Sequence, residues 1–586
     1  MSFYDAIRIG ASGAGDFEVE RSLRFNSGDS AHLTRTPSSA TNRQTFTFSF
    51  WVKLVKIGTV AYLFECGDSD DNGERLYIRI DTDSSFSVGE KSIYRLITSQ
   101  KLTDLSAWYH IVFAVDTTNS TADNRNRLYI NGEEVTSFGT RNNFSVNYNT
   151  GVNNNSLHNW GRSDIDSNYA NAYLAEINFI DGLQLTPSSF GETNVLTGQW
   201  NPKKYAGSYG TNGYNLNFSD NSGTTATTLG KDSSGNGNNF TPNNFSVAAG
   251  AGNDSVEDTP TNNFPTFNPL CENNDHTYSE GNLKVTHAAN NQSGSTTSMA
   301  TPRTGKWYWE VRALDSFLFI GVTADTYLGT GNVISATNTG GSTVAYYNDG
   351  QKYVGGSVSS YGASFANGDL IGVAVDMDNG QVTFYKNNAS QGAISLVSTR
   401  GHIGVGAVGT GQALSMSINF GQQAFTYTPP TGFEKLCSAN LPDPTILLPS
   451  GQFNTVLYSG NNNATRSITG VGFKPDWWWS RARNKGYAFI LYDSVRGTGQ
   501  LKTLASQSTG VEGSELDNTV YGYVNSFDAD GFSMTKGSAS TSFTNESGAN
   551  YVVWNWNAGE TDSATYTVKV VSDSGNNKYR FNDFGT

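Results

Sequence analysis

Charged residues are scarce in this sequence, and positive charge is the scarcer sign. Only 15% of the 586 residues are Asp, Glu, Lys or Arg, against about 25% in an average globular domain. Lys and Arg number 38 against 52 Asp and Glu, so the net charge is −14. A nucleic-acid-binding protein normally carries a basic stripe that contacts the phosphates, and the sequence contains none. We therefore expect no nucleic-acid partner.

Cysteines and long apolar runs are also rare. The three cysteines, Cys66, Cys271 and Cys437, are odd in number and far apart in sequence. This pattern argues against a disulfide framework and favours buried free thiols. No run of about 18 apolar residues occurs, so we expect no insertion into a membrane. The first residues lack the basic start and the apolar centre of a signal peptide.

The sequence lacks the short motifs of common catalytic sites as well. Its six histidines show no H-E-x-x-H spacing, and neither a G-x-S-x-G turn nor a phosphate-binding G-x-x-x-x-G-K-[ST] loop occurs. Zinc enzymes, serine hydrolases with that turn and nucleotide-binding enzymes therefore have no local signature here. We expect a protein that is not an enzyme and that requires no cofactor.

Aromatic residues, by contrast, are abundant at 12% of the chain, together with 63 glycines. Apolar and polar residues alternate over short runs that end in turn residues, and no window of a dozen residues keeps the apolar spacing of a helix. Between Gly368 and Asn388, two alternating runs flank Asp378-Asn379-Gly380, a strong signal of a β-hairpin. The pattern predicts an all-β fold of tandem β-sandwich or jelly-roll domains joined by short linkers.

Residues 17–250 contain strand signals in a recognisable order. The runs are FSFWV from Phe48, WYH from Trp108, YING from Tyr129 and YLAEI from Tyr173. This order resembles the laminin-G-like, concanavalin A-like family, so the resemblance implies a jelly roll. The loop DSSGNGN from Asp232 is also similar to a loop of that family, but it follows the other motifs, which predicts that the first and last strands are permuted.

Residues 263–436 carry three ordered motifs of a second family. GKWYWEV from Gly305 is followed by GDLIGV from Gly368 and by NFG from Asn419. These motifs resemble the SPRY domain, a β-sandwich used for binding. Residues 251–262 before it and residues 437–451 after it are polar or carry spaced prolines, and we expect both segments to be linkers.

Residues 452–586 form a third β-rich block. GFKPDWWW from Gly472 precedes YDSVRG from Tyr492, and YVVWNW follows from Tyr551. The block resembles a β-rich module of tail and virion proteins from marine bacteriophages of the cyanophage or pelagiphage type. The last residues stop inside a strand-like pattern, so the natural chain is expected to continue past Thr586. Residues 1–16 are rich in small residues and are interpreted as a virion-anchoring arm or as an ordinary loose terminus.

Glu176 and Asp181 have the bulged spacing E-x-D-x-x-E of the catalytic strand in concanavalin-type glucanases. A retaining mechanism needs two carboxyl groups about 5 Å apart. Here the middle position is Asn178, which cannot carry the charge that tunes the nucleophile, and Asp181 is one methylene shorter than Glu. Asp181-Gly182 is also an ordinary turn pair. We favour a structural role, and a polysaccharide depolymerase is the alternative.

The loop from Asp68 to Gly73 has the oxygen-rich pattern D-x-D-x-N-G of a calcium loop. Position twelve of the EF-hand pattern falls on Arg79, so no bidentate Glu closes the loop and an EF-hand is excluded. A weaker jelly-roll calcium site would use five ligands from two loops, namely Asp68, Asp70, Asn72, Asp164 and Asp166. The alternative is a solvated acidic turn.

Four tryptophans near the C-terminus are candidate ligand-binding residues. Because side chains alternate along a strand, Trp477 and Trp479 would share one face, and so would Trp554 and Trp556. An exposed pair of indoles would stack on the apolar face of a sugar ring. The alternative is that these rings fill the core of a sandwich, since large aromatic residues dominate cores.

These features predict a phage virion appendage of the tail-fibre, receptor-binding type, located on the virion surface after synthesis in the host cytoplasm and release by lysis. It would bind host-surface glycan or protein without catalysis, through loops at the edges of its sandwiches. Other virion proteins would be its partners through the N-terminal region. A homotrimer is one option for assembly, although no coiled-coil heptads occur. A structural capsid or tail decoration protein is the first alternative.

Overall fold

The fold is known from a computed structural model. It describes residues 17–67, 75–194, 197–270, 276–287, 293–316, 318–323, 343–397, 402–407, 414–442, 446, 448–513 and 518–558. The chain divides into two compact units, Met1–Thr445 and Ile446–Thr586. The first unit contains two β-sandwiches with separate cores, and the second contains a smaller β-module.

Strands β1 to β18 build the first sandwich. They are β1 (Ser22–Phe25), β2 (His32–Arg35), β3 (Thr45–Leu54), β4 (Ala61–Cys66), β5 (Leu76–Ile80), β6 (Ser85–Glu90), β7 (Ile93–Lys101), β8 (Trp108–Asp116), β9 (Asn126–Ile130), β10 (Glu133–Glu134), β11 (Phe138–Arg141), β12 (His158–Trp160), β13 (Ala172–Asp181), β14 (Gly191–Thr193), β15 (Trp200–Pro202), β16 (Tyr214–Leu216), β17 (Thr241–Asn243) and β18 (Ser255–Val256). One sheet has the order β10-β9-β8-β3-β13-β1-β18, with β16 also paired to β13. The other has the order β11-β7-β6-β5-β4-β12-β2-β17, and β14 and β15 form a separate hairpin.

Strand β3 shows why these two sheets pack together. Phe46, Phe48 and Phe50 alternate with Thr47 and Ser49 along the strand. The three phenylalanines are fully buried in the main core, because a period of two places them all on one face of the sheet. The chain ends of the sandwich also meet, since β1 pairs with β18 and β2 pairs with β17.

Strands β19 to β32 build the second sandwich. They are β19 (His276–Ser279), β20 (Lys284–His287), β21 (Ser293–Thr296), β22 (Lys306–Ala313), β23 (Leu318–Thr323), β24 (Thr343–Tyr347), β25 (Gln351–Val354), β26 (Ser357–Ser360), β27 (Leu370–Asp376), β28 (Gln381–Lys386), β29 (Ala389–Ser395), β30 (His402–Ala407), β31 (Leu414–Asn419) and β32 (Glu434–Lys435). Its sheets have the orders β19-β20-β31-β22-β27-β28-β29, with β32 beside β22, and β21-β30-β23-β24-β25-β26. The hairpin predicted between Gly368 and Asn388 is confirmed, because β27 and β28 pair antiparallel on either side of Gly380.

Strands β33 to β40 build the second unit. They are β33 (Phe453–Ser459), β34 (Thr465–Thr469), β35 (Trp477–Ala482), β36 (Ile490–Asp493), β37 (Leu504–Ala505), β38 (Tyr523–Asp528), β39 (Gly531–Thr535) and β40 (Asn550–Trp556). One sheet has the order β33-β40-β35-β36-β37, and the other has the order β34-β39-β38. Their shared core includes Trp478, Tyr492, Phe532, Tyr551 and Val553.

The described part of the chain contains little helix, as the sequence predicts. The described helices are short, namely α1 (Asn518–Tyr521) and 3₁₀ turns at Ala122–Asn124, Pro187–Ser189, Ser438–Asn440 and Pro449–Gly451. The all-β prediction is therefore confirmed. Among the described helices, none has the length and apolarity needed to cross a membrane. Cys66 and Cys437 are buried, and Cys271 lies outside the described residues.

Residues 251–262, predicted as a linker, are packed between the two sandwiches of the first unit. The segment contributes β18 to the first sandwich, and Asp254 and Asp258 are buried within it. Arg24 makes ion pairs with Asp254 at 3.0 Å and with Glu280 at 2.8 Å, and Lys53 pairs with Asp258 at 2.7 Å. The polar residues that suggested a linker are the partners of buried cations, so this connection is held in place by charge pairs.

Candidate ligand-binding face

Four tryptophans lie on one face of the five-stranded sheet in the second unit. Strand β35 carries Trp477 and Trp479, and the neighbouring β40 carries Trp554 and Trp556. Side chains alternate along a strand, so the intervening Trp478 points to the opposite face, where it is fully buried. The prediction that each pair of tryptophans shares a face is confirmed.

The antiparallel register arranges these residues in two rows across the sheet. Trp477 is directly opposite Trp556, and Trp479 is directly opposite Trp554. On the other side of β40, Phe453 is opposite Trp556. Neighbouring strands lie about 4.8 Å apart, so a row from β33 to β36 spans roughly 14 Å. These five aromatic residues are called the tryptophan face below.

The rings of the tryptophan face contact one another. The ring centroids of Trp479 and Trp554 are 5.3 Å apart with an interplanar angle of 44°, and those of Phe453 and Trp556 are 4.8 Å apart at 52°. Centroid separations of this size are typical of attractive aromatic pairs. Because four of the five rings are supported by a neighbour, much of the surface is formed before any ligand arrives, which lowers the entropic cost of binding.

The tryptophan face points outward. Trp477 exposes 38% of its surface and Phe453 exposes 41%, while the other three tryptophans are half-buried. Leu457, further along β33, is 61% exposed. Clustered exposed apolar groups usually mark an interaction site. Trp478 therefore belongs to the core, whereas Trp477 is open to solvent and the other three tryptophans are partly exposed.

Polar and charged groups lie at the edge of the tryptophan face. Asp493 on β36 is the cross-strand neighbour of Trp477. The guanidinium of Arg481 lies 4.3 Å from the ring centroid of Phe489, and that ring lies 5.5 Å from the ring of Trp479. A flat apolar centre bordered by hydrogen-bonding groups is the usual composition of a specific binding surface.

Phe453, Arg481 and Phe489 were not predicted as site residues. A signal was present for Phe453, because Phe453, Thr455 and Leu457 alternate with more buried positions. Their place beside the tryptophans depends on the pairing of β33 with β40, which joins segments about a hundred residues apart. A single sequence does not reveal such long-range pairing.

The two described members of the predicted calcium site, Asp164 and Asp166, are paired with arginines. Asp166 accepts hydrogen bonds from Arg75 Nη2, at 2.5 Å, and from the Tyr62 hydroxyl. Asp164 pairs with Arg162. Asp68, Asp70 and Asn72 lie outside the described residues. In the part of the chain that the structure describes, no group of three or more His, Cys, Asp or Glu side chains is arranged to hold a metal. Calcium binding stays a prediction.

Glu176 and Asp181 have separate partners. Glu176 lies at a bulge of β13 with a φ of +45°, and its Oε1 accepts a hydrogen bond from Asn215 Nδ2 at 2.9 Å. Burial raises the pKa of Glu176 to about 7. Asp181 accepts hydrogen bonds from Asn153 Nδ2 at 2.9 Å and from the backbone N–H of Asn212 at 3.0 Å. Amide groups thus surround both carboxyls, which favours the structural role, although a raised pKa also occurs in catalytic acids.

Ser49 and His110 meet on the same sheet and superficially resemble a nucleophile and its base. His110 Nε2 lies 2.9 Å from Ser49 Oγ, and Trp200 Nε1 donates to His110 Nδ1 at 3.0 Å. An indole nitrogen is a donor only, so Nδ1 is the acceptor and the proton of the neutral ring is on Nε2. His110 therefore donates to Ser49 and cannot take its proton, as a catalytic base would. Burial lowers the pKa of His110 to about 3, which keeps the ring neutral.

The fold and these sites define a tandem β-sandwich protein with binding-type domains, and family models agree over three segments. Residues 26–188 match the concanavalin A-like lectin/glucanases superfamily, and residues 306–423 match the SPRY domain. Residues 448–581 match a domain of unknown function, DUF7483. The laminin-G-like and SPRY-like resemblances are thereby confirmed, each for its own part of the chain.

Solved structures show likenesses to parts of the chain. The SPRY domain of human HERC1 is 17% identical over 26% of this chain and 96% of its own, with a TM-score of 0.23. A heptameric SAP-like pentraxin from Limulus polyphemus is 17% identical over 29% of this chain and 80% of its own, with a TM-score of 0.22. Comparison with curated proteins finds no match.

Proposed function

We propose that this protein is a phage virion appendage of the tail-fibre, receptor-binding type, and that it binds a host-surface glycan or protein through the tryptophan face. Its laminin-G-like and SPRY-like domains are folds of binding modules. The observation that most supports the proposal is the outward-facing row of Phe453, Trp556 and Trp477 across three adjacent strands. The assignment to a virion rests on the resemblance of residues 452–586 to phage tail and virion modules.

The chemistry of the tryptophan face favours a glycan among the two ligand classes. The C–H faces of sugar rings are apolar and flat, so they stack on indoles such as Trp477 and Trp556. Sugar hydroxyls would hydrogen-bond to groups at the edge, where Arg481 donates. Asp493 already pairs with Arg496 at 2.6 Å and would accept through its remaining lone pairs. The net charge of −14 repels polyanions. We therefore expect a neutral glycan to bind better than an acidic one.

Two other functions compete with host attachment. A structural decoration protein would join the capsid or the tail tightly and would not bind cells by itself. A polysaccharide depolymerase would release sugar, with Glu176 as its principal carboxyl group, and the release would be lost in Glu176→Gln. The raised pKa of Glu176 is the observation that supports the depolymerase alternative.

The proposal is tested by the binding of purified full-length protein to intact host cells and to a glycan array, with and without calcium. Saturable binding that competing neutral sugars reduce is the expected result. Loss of binding in chelator would assign a role to the predicted calcium loop. Absence of binding to both cells and glycans would contradict the proposal and favour a decoration protein.

A deletion of residues 1–16 separates attachment from assembly. If these residues are the virion anchor, the shortened protein should still label cells but should fail to join particles. A decoration protein would show the reverse dependence, with particle binding as its only activity. Particle incorporation that survives the deletion would show that the anchor lies elsewhere in the chain.

A further inference from the structure

Lys53 is a buried lysine whose amino group contacts both a carboxylate and a carboxamide. Its Nζ lies 2.7 Å from Asp258 Oδ2 and 2.7 Å from Asn263 Oδ1, and it also contacts the carbonyl oxygen of Phe264 at 2.9 Å. Lys53 exposes 1% of its surface, Asp258 1% and Asn263 5%. A lysine is almost never fully buried unless it is paired, and these three oxygens are the partners of Lys53.

Aromatic side chains enclose this group. Lys53 sits on β3 with Trp108 and Tyr173 as its two cross-strand neighbours, and the Tyr173 ring centroid lies 6.0 Å from Nζ. Trp108 Nε1 donates a hydrogen bond to Asp258 Oδ1 at 3.1 Å. These rings belong to a separate buried cluster of the first sandwich. The cluster excludes water, so hydrolysis does not compete with a reaction between the enclosed groups.

We infer that Lys53 and Asn263 are joined by an intramolecular isopeptide bond, formed with Asp258 as the acid and base. The geometry places the reacting atoms together. A carbonyl bond is about 1.23 Å long, so Asn263 Cγ lies within about 4 Å of Nζ when its oxygen is at 2.7 Å. That separation approaches the roughly 3–3.5 Å of a near-attack arrangement. The side-chain nitrogen of Asn263 is held by the Ser106 carbonyl at 2.8 Å, which fixes the orientation of the amide.

The reaction balances without any oxidant or co-reactant. Lys53 first transfers a proton to Asp258, which replaces two buried charges by two neutral groups and relieves their desolvation. The amine lone pair then attacks Asn263 Cγ, and the carbonyl electron pair moves to Oδ1. The electron pair on Oδ1 then returns to Cγ and the Cγ–Nδ2 bond breaks. Asp258 delivers its proton to the departing Nδ2 and accepts the second proton from Nζ, so it ends protonated. One C–N bond forms, one C–N bond breaks, and one ammonia leaves.

The bond would connect β3 of the first sandwich to the residue before the core of the second sandwich. Lys53 and Asn263 are separated by 210 positions in the sequence. The seam between the two sandwiches is the region where Arg24 and Lys53 pair with Asp254 and Asp258. A covalent link would reinforce these ion pairs, as a disulfide does in a protein with paired cysteines. This inference does not depend on the proposed ligand or on the virion assignment.

The test is mass spectrometry of the purified full-length protein under denaturing conditions. We expect the intact mass to fall below the sequence mass by one ammonia, and a tryptic digest to contain a branched peptide that joins Lys53 to Asn263. Succinimide formation at an Asn-Gly step also releases ammonia, so the branched peptide decides the matter. An unbranched Asn263 peptide, together with tryptic cleavage after Lys53, would overturn the inference.

Two variants assign the role of Asp258. Asp258→Asn preserves the size of the side chain but cannot exchange protons, so the branched peptide should disappear. Asp254→Asn is the matched control, because it alters another buried carboxylate of the same seam without touching Lys53 or Asn263, and its branched peptide should remain. A branched peptide that persists in Asp258→Asn, or disappears equally in both variants, would refute the acid and base role of Asp258.

Discussion

Trp477 and Trp478 are adjacent in sequence, yet their replacement by alanine should have opposite consequences. Trp478 is fully buried, with its ring centroid 5.7 Å from that of Tyr492 and 5.4 Å from that of Phe532. Trp478→Ala removes these contacts and leaves a cavity, which should lower the free energy of unfolding by about 3–5 kcal/mol. Trp477 is 38% exposed, so Trp477→Ala encloses no cavity and should cost only about 1–2 kcal/mol.

Urea unfolding followed by circular dichroism gives the stability of each variant, and binding to host cells is measured in parallel. Trp477→Ala should keep the fold and weaken binding. Trp478→Ala should shift the unfolding midpoint strongly and affect binding only through the loss of folded protein. Equal destabilisation by the two substitutions would refute the assignment of Trp477 to an open face.

Three further predictions concern charge and pH. Acid should destabilise the first unit, because burial lowers the pKa of His110 and of His287 to about 3. The unfolded chain takes up protons that the folded chain excludes, so stability measured by urea unfolding should fall from about pH 6.5 downward, by about 2–3 kcal/mol per histidine at pH 4.5. Glu176→Gln should instead change the folding stability at high pH. The pKa of Glu176 is raised to about 7, so its contribution to folding stability is present below pH 4.5 and is lost as the pH rises through 7. The variant should therefore be up to about 3 kcal/mol more stable than wild type at pH 8.5, but not at pH 4.5. Arg24→Ala should cost about 3–5 kcal/mol in the same assay, because the buried Asp254 loses its partner; an unchanged unfolding curve would show that this ion pair is dispensable.

The alternation of the tryptophans was predictable from the sequence, but which face of the sheet is open to solvent was not. Period two along YVVWNW and GFKPDWWW is a local property, so the sharing of a face by Trp477 and Trp479 follows directly. Which face is covered depends on the sheet β34-β39-β38, which packs on the side of Trp478. That choice is made by residues up to a hundred positions away.

The predicted linker and the predicted calcium site also involve partners that are distant in sequence. Residues 251–262 look like a linker because Asp254 and Asp258 are polar, but each pairs with a cation more than 200 positions earlier in the chain. Asp166 looks like an oxygen ligand, and in the structure it pairs with Arg75. In both cases the carboxylate can be identified from the local sequence, but its cationic partner cannot.

The central claim is that the tryptophan face binds the ligand. The most direct measurement is a binding isotherm on intact host cells for wild type, for a Trp477→Ala, Trp556→Ala double variant and for Val495→Ala, whose side chain is 94% exposed in the same unit but lies outside the face. The account predicts saturable binding by wild type and by Val495→Ala, and at least a tenfold loss of affinity in the double variant, equivalent to about 1.4 kcal/mol. Equal affinity of all three folded proteins would contradict it.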